Sequence, residues 1–597
     1  MNYRAVETIE DLEAFVSQIH NEGLVVVDLR TSHPDPMQAE IVGVGMAVSP
    51  NEAVYVPIGH INGANLNLES VVAVLKPLLE DAEIGKVGHD MQDDIIIWRR
   101  IGVHLNGLLF DTMLASYLLD PDRQAHSLEA LAKRYFDLVP TSVVDVLGNG
   151  KKRIEFDEVP VKNAAEFACE LANLILRLMQ VLRVDLDKLS VDALFEDVDL
   201  PMVEVLGDLA FVGMAIDVDM LETMASELSL ELDRLSGEIY DLSGEPFNLN
   251  SPKQLAHILF EKLKLPPGRK TKTGYSTNQS VLEKLSLSHP LPDKLLNYRE
   301  ISKLQATYVE ALPRLVNETT GRIHASFNQA VTATGRLSVS NPNLQNIPVR
   351  RELGQQIRKA FVPGKKGWVM LSADYSQIEL RIMAHLAGDE MLVEAFEKSE
   401  DVHRHTASMV FNLPTDFVTD EMRALAKTVN YGVIYGMSPF GLAQQLGLTV
   451  REAREFIDGY FSTYPAVQTY VDDMVEWARE EGYVETMLGR RRYVPEIVSM
   501  NAKKREYAER IAVNTPIQGT ASDLIKLAMI RIYKRLKVEN LRAKMILQVH
   551  DELIFEVPAD EVGAVERLVK EEMETALMLN VPIEVSVGVG ANWLVAH

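Results

Sequence analysis

Two aspartates sit where apolar runs break off. Asp374 follows the strand-like "WVMLSA", and Asp551 interrupts "KMILQVHDELIFEVP" (Lys544 to Pro558) together with His550 and Glu552. A simple hairpin would turn on Gly, Asn or Pro, and carboxylates next to a core are costly unless positive charge meets them. If the two runs are neighbouring strands of one sheet, both aspartates can face a shared pair of divalent cations. Two such ions roughly 3.5 to 4 Å apart are a general device for in-line attack at phosphorus. Helix capping or turn closure by each Asp is the alternative. A second group lies in "MRALAKTVNYGVIYGMS", where Arg423, Lys427 and Tyr431 fall i, i+4, i+8, so that two cations and an aromatic ring share one helix face. That set suits a triphosphate and a base, and an amphipathic surface helix could show the same spacing. In "ERIAVNTPIQGT", Arg510, Asn514 and Gln518 are again four apart, a spacing of polar groups suited to minor-groove acceptors that look alike for every base pair.

The elements that must hold these residues follow from periodicity. Residues 1 to about 190 read as α/β, with strands in "GLVVVDLRT", "AEIVGVGMAVS" and "AVYVPIG" and helices in "DTMLASYLLD" and "NAAEFACELANLILRLMQVL". From about 195 to 320 the pattern is long, amphipathic and helical, broken by "GRKTKTGYSTNQS" and "LSHPLPDK". Strands return near "GRIHASFNQAVTATGR" and "GWVMLSADYS", where Ile378, Ile382 and Leu386 then mark one helix face. A helix-rich block runs from about 388 to 510 before the closing hairpin. The 597 residues, 47% hydrophobic, allow several domains. The single cysteine, Cys169, excludes an intramolecular disulfide framework and a Cys-based zinc cluster. Without a signal peptide or a long apolar run, the expectation is a cytoplasmic protein with no membrane association. The formal charge of −26 argues against a polyanionic partner, but basic clusters at 267–280, 349–361 and 488–493 oppose that average locally.

Taken together, "DYSQIELR", "RALAKTVNYGVIYG" and "QVHDELIFEV" resemble motifs A, B and C of the family A DNA polymerases, in that order. "TATGRLSVSNPNLQNIP" and "AERIAVNTPIQGTASD" are similar to further signatures of the family. The resemblance is to the large, Klenow-type fragment of bacterial DNA polymerase I and covers essentially the whole chain. It implies a multidomain α/β fold: a ribonuclease-H-like 3′–5′ exonuclease fold over 1–192, then a right-hand polymerase. The parts would be the palm start and helical thumb (193–320), palm with motif A (321–387), fingers with motif B (388–508) and the rest of the palm with motif C (509–597). It further implies two Mg²⁺ ions, with Mn²⁺ able to substitute, held by Asp374, Asp551 and the carbonyl of Tyr375. Lys427 would protonate pyrophosphate, and Gln377, Glu379, His403, Arg423, Lys427, Tyr431 and Tyr435 would hold the dNTP. Arg336, Arg350, Arg510, Asn514, Gln518 and His550 would contact primer–template DNA, with the "GRKTKTGYSTNQS" loop as the thumb tip. Glu379 has two readings: a capping box in Ser376–Glu379, or a group crowding the ribose 2′ position, which is preferred. Tyr431 stands where many members carry Phe, which predicts ready dideoxynucleotide incorporation. The expected form is a monomer in a bacterial cytoplasm, nucleoid-associated or phage-encoded.

The N-terminal segment departs from the family's exonuclease pattern. Asp28 and Asp94 are in place, but Arg30 replaces a Glu, and "FACEL" puts Phe167 and Leu171 where Tyr and Asp belong. A guanidinium cannot ligate a cation, and Glu170 lies about 100° round the helix from Leu171. The expectation is a degenerate exonuclease site. The 5′ nuclease region of the full-length enzyme does not appear in the sequence, which predicts strand displacement. Three rivals stand beside this reading: a single-subunit RNA polymerase, opposed by Glu379; a catalytically inactive DNA-binding or structural homologue, opposed by the intact Asp374, Asp551, Arg423 and Lys427; and a helix-turn-helix binder built on "FGLAQQLGLTVREAREFIDGYF".

Overall fold

The computed structural model describes residues 2–50, 52–268, 270–271, 274–348 and 351–597. Arg350 lies outside the described residues, as do Arg269, Lys272 and Thr273 of the expected thumb-tip loop. Around those gaps Lys270–Thr271 pairs with Gly274–Tyr275 as a short antiparallel ladder.

The N-terminal third forms a six-stranded sheet from β1 (Asn2–Ala5), β2 (Leu24–Thr31), β3 (Ile41–Ser49), β4 (Glu52–Pro57), β5 (Gly85–Gly88) and β6 (Leu108–Asp111). Its order is β1-β4-β3-β2-β5-β6, antiparallel through β2, β3 and β4 and parallel at β1, β5 and β6. β3 is buried along all but its last residue because the 29-residue helix α2 (Val161–Leu189) packs across it. A strand covered on both faces reads as a continuous apolar run rather than an alternating one. Helix α1 (Thr112–Leu119) starts where Asp111 accepts from the amides of Met113 and Leu114 at 2.9 and 3.1 Å, an N-cap that satisfies two otherwise orphaned donors. Together these elements bury one core running from Val6 to Val203.

A separate small core from Ile239 to Leu295 joins the two long helices α3 (Val218–Ser243) and α4 (Pro290–Leu304). The largest core runs from Met37 to Ala596 around a second sheet of β7 (Trp368–Tyr375), β8 (Lys544–Val549), β9 (Glu552–Pro558) and β10 (Val585–Gly590). Its order is β8-β9-β7-β10, antiparallel throughout. Strand β7 runs directly into α5 (Ile378–Ala387). Beyond it, α6 (Val402–Phe411) and α7 (Asp420–Ile434) pack on each other, and the 37-residue α8 (Ala502–Val538) contacts both α5 and α7. The architecture is an α/β domain around the six-stranded sheet followed by a larger α/β body around the four-stranded sheet. Among the described residues, no helix is long and apolar enough to cross a membrane.

Candidate active site

The register of the second sheet brings the two aspartates to one edge. Asp374, next to last in the central strand β7, pairs with Glu552, the first residue of β9. Asp551 precedes Glu552 in the two-residue turn between β8 and β9, and the Tyr375 amide donates to the Asp551 carbonyl at 3.2 Å. Asp551 therefore belongs to a turn rather than to the end of a strand. His550 makes that turn without glycine by taking φ 54°, a left-handed conformation uncommon outside glycine and one in which Asn, Asp and His are enriched.

The three neighbouring carboxylates are treated differently by the protein. Glu552 is buried and accepts from Ser372 Oγ (2.6 Å), Trp593 Nε1 (3.0 Å) and His597 Nδ1 (3.1 Å). Burial would raise its pKa, but these donors hold it below the ordinary glutamate value. Asp374 and Asp551 go the other way. Burial and repulsion from Glu552 push Asp374 up to about 6. Burial and repulsion from Glu379 and Asp374 push Asp551 up to about 7, with Arg336 opposing. A pair of half-buried carboxylates in that condition is a site short of positive charge.

A divalent cation fits that deficit. Among the described residues, no group of three or more His, Cys, Asp or Glu side chains is arranged to hold a metal. The protein's own donors here are two carboxylates and nearby backbone carbonyls. That set matches Mg²⁺, which dehydrates reluctantly and is usually bound by one or two carboxylates plus substrate phosphates rather than by a closed protein cage.

Glu379 faces the same edge. The Ser376–Glu379 capping box does not form: Gln377 is the N-cap of α5 at φ 56° with no side-chain capping bond, and Ser376 Oγ lies 3.3 Å from Ser586 Oγ. The sharp left-handed exit from β7 turns the helix start away from box geometry. Glu379 is instead 5% exposed, paired with Arg336 and accepting from the Tyr435 hydroxyl at 2.8 Å. Arg336, Glu379, Tyr435, Asp374, Asp551 and His550 thus share one electrostatic neighbourhood.

The second group forms on α6 and α7. Arg423, Lys427 and Tyr431 do fall within one helix, and Tyr435 is its C-cap. His403 is buried, with its ring 5.8 Å from that of Tyr431. Its Nδ1 accepts from the Asn430 amide at 2.9 Å, which leaves the ring proton on Nε2. Burial and the charges of Lys427 and Arg423 bring His403 down to about 4, so it is neutral at pH 7. Arg423 Nε donates to Asp401 at 2.6 Å, and Asp401 also caps α6 through the amides of His403 and Arg404 at 3.0 Å.

Arg510, Asn514 and Gln518 lie on α8, with Arg510 stacked 5.7 Å from the Tyr507 ring centroid. A Cβ on Gly436, just past α7, would come 2.7 Å from Arg510 Cγ, so the end of α7 abuts α8 at this residue. Asp401 and Asn430, and the donors around Glu552, were not singled out by sequence reasoning. Asp401, the residue before helical "VHRHTASMVF", carried an N-cap signal that would have found it.

In the N-terminal domain the expected degenerate residues also converge. Arg30 is paired with Asp28 and lies 5.4 Å from the centroid of the Phe167 ring. Asp94 is raised well above the carboxylate range by burial and by Asp28, with Arg30 opposing. Leu171 is buried. Glu170 accepts from the Thr141 amide at 3.1 Å.

Comparison with known proteins identifies the family of the chain. The family model for DNA polymerase family A matches residues 218–595, and the model for the 3′–5′ exonuclease matches 3–187. The chain is similar to DNA polymerase I of Pseudomonas aeruginosa, at 43% identity over 100% of this chain and 66% of that protein. It is also similar to DNA polymerase I of Geobacillus stearothermophilus, at 47% over 82% of this chain and 56% of that protein. It spans about 56 to 66% of the length of these curated relatives. A solved structure of the POL domain of Pol1 from M. smegmatis, in complex with DNA primer-template and dNTP, superposes with TM-score 0.90 at 38% identity. That match covers 99% of this chain and 100% of the other. The chain belongs to DNA polymerase family A.

Proposed function

We propose that this chain is a template-directed DNA polymerase that adds dNTPs to a primer 3′-hydroxyl, and that its exonuclease-type domain does not proofread. The observation that carries the first part is the sheet register, which sets Asp374 beside the Asp551 turn while the neighbouring Glu552 is taken up by protein donors. Mg²⁺ bound there, by Asp374, Asp551 and the Tyr375 carbonyl, would polarise phosphate oxygens and lower the pKa of the primer hydroxyl.

The protein's own groups do the rest. Arg423 and Lys427 present positive charge to the triphosphate, and Lys427 protonates the departing pyrophosphate oxygen. Neutral His403 offers Nε2–H as a donor, and Tyr431 and Tyr435 flank the sugar and base, with Gln377 at the helix start beside them. Glu379, fixed by Arg336 and Tyr435, fills the space a ribose 2′-hydroxyl would need. Arg336, Arg510, Asn514, Gln518 and His550 contact the primer–template, which lets a chain of charge −26 bind DNA through local groups. The lack of proofreading is supported by Arg30, which occupies the carboxylate of Asp28, and by apolar Phe167 and Leu171.

The test is extension of a 5′-labelled primer on a DNA template with Mg²⁺, with and without dNTPs. Longer products only with dNTPs support the polymerase, and no extension overturns it. On a gapped template the same reading expects displacement of the strand ahead. Tyr431→Phe is expected to raise discrimination against dideoxynucleotides by about tenfold, on the order of one hydrogen bond, read from competing dNTP and ddNTP. Unchanged discrimination removes Tyr431 from that role.

A further inference from the structure

One of the places where the two domains meet is the 332–336 loop. Tyr117, fully buried on α1, donates its hydroxyl to the Thr332 carbonyl at 2.7 Å, 215 residues further along the chain. Its ring is braced edge-on by His126, centroids 5.8 Å apart. Thr332 Oγ1 in turn donates to the Arg336 carbonyl at 2.7 Å, closing the 332–336 loop on itself.

The back of the loop rests on a buried ion cluster. Gly335 is at φ +83°, and a Cβ there would come 2.8 Å from Arg490 Nε, so only glycine allows this approach. Arg490 binds Asp199 through two 2.8 Å bonds and Asp523 at 2.8 Å, and Lys526 reaches Asp199 at 3.0 Å. Two cations and two carboxylates, none more than 3% exposed, fix that wall. The loop ends in Arg336, which pairs with Glu379.

We propose that Tyr117 is a positioning residue for the Arg336–Glu379 pair, so that the exonuclease-type domain contributes to sugar selection at the polymerase site. The inference rests on the polymerase reading and on Glu379 as the sugar gate. Of the loop's contacts described here, the Tyr117 hydroxyl is the one made by the N-terminal domain. Losing it removes that hold on the loop at Thr332, and the Arg336 fork moves relative to Glu379.

The experiment uses Tyr117→Phe in the full chain. Expected are a fall of about fivefold in the dNTP-over-rNTP ratio of kcat/KM, the size of one buried hydrogen bond, carried by KM, and faster amide exchange at 332–336. Tyr55→Phe, which removes a buried 2.8 Å bond to His60 in the same domain, should leave the ratio unchanged. In a Glu379→Ala background, Tyr117→Phe should lower the ratio no further. An unchanged ratio in an active Tyr117→Phe enzyme, an equal fall in Tyr55→Phe, or additivity with Glu379→Ala would each overturn the proposal. Unchanged exchange at 332–336 would overturn it independently of activity, whereas failure of the unsubstituted chain to incorporate dNTPs would mark the polymerase reading as the fault.

Discussion

Asp551→Asn is expected to lower dNTP-dependent primer extension by about a thousandfold or more while leaving the protein at least as stable as the unsubstituted chain. The first half follows from removing one of two carboxylates that would hold the metal, a loss on the order of several kcal/mol of transition-state stabilisation. The second half follows from the sign of the pKa shift. Asp551 is raised from the ordinary carboxylate range to about 7, so the folded state disfavours its ionised form. That penalty is absent below the unfolded pKa and grows as pH rises to about 7. Asparagine removes it, for a gain of about 1–2 kcal/mol at pH 8 once screening by the open cleft is allowed for. By the same sign, Mg²⁺ should raise the Tm of the unsubstituted chain more at pH 8 than at pH 6, where protons compete for Asp374 and Asp551, and should do so less for Asp551→Asn. Extension assays and thermal melts with and without Mg²⁺ decide both halves. Near-normal extension by Asp551→Asn would remove Asp551 from the catalytic centre, and a loss of several kcal/mol in stability would mean that its carboxylate is structural, as Glu552 is.

That Glu552 and Asp551 differ so sharply was not legible in the sequence. Both interrupt an apolar hairpin and both are acidic, and what separates them is three donors, Ser372, Trp593 and His597, of which two come from the last five residues and one from a neighbouring strand. Local pattern has no access to such contacts. The periodicities that depend only on the next turn or the next strand residue were readable: the apolar runs of β2, β3 and β7, and the spacing of Arg423, Lys427 and Tyr431 on α7. The Ser376–Glu379 motif shows the limit. Its residue types match a capping box, but Gln377 adopts a left-handed φ, and Glu379 is recruited by Arg336 from 43 residues earlier. Tertiary charge overrode a local signature. The Asp199–Arg490–Asp523–Lys526 cluster spans more than 300 residues and left no sequence signal beyond one basic run.

The largest gain of activity expected from any substitution lies in the N-terminal domain. The unsubstituted chain should leave a 3′-mismatched primer intact with Mg²⁺ and no dNTPs, whereas Arg30→Glu combined with Phe167→Tyr and Leu171→Asp should shorten it at least about a hundredfold faster, in a reaction abolished by adding Asp28→Ala. The argument turns on Arg30. Its guanidinium pairs with Asp28 and opposes the raised pKa of Asp94, so it serves as an internal cation where the exonuclease pattern requires a metal. Arg30→Ala alone should therefore destabilise the domain by about 3–5 kcal/mol, the usual cost of leaving a buried carboxylate unpaired, and Mg²⁺ or Mn²⁺ should restore part of the lost Tm. The single variant guards against the triple one failing to fold, since Phe167 and Leu171 are buried and polar groups there are costly without a cation. Shortening of the primer by the unsubstituted chain, lost on Asp28→Ala, would show that Asp28 still works with Arg30 beside it. A Tm of Arg30→Ala that neither falls nor responds to divalent ions would show that Asp28 and Asp94 need no counter-charge, and the idea of arginine standing in for metal would be wrong.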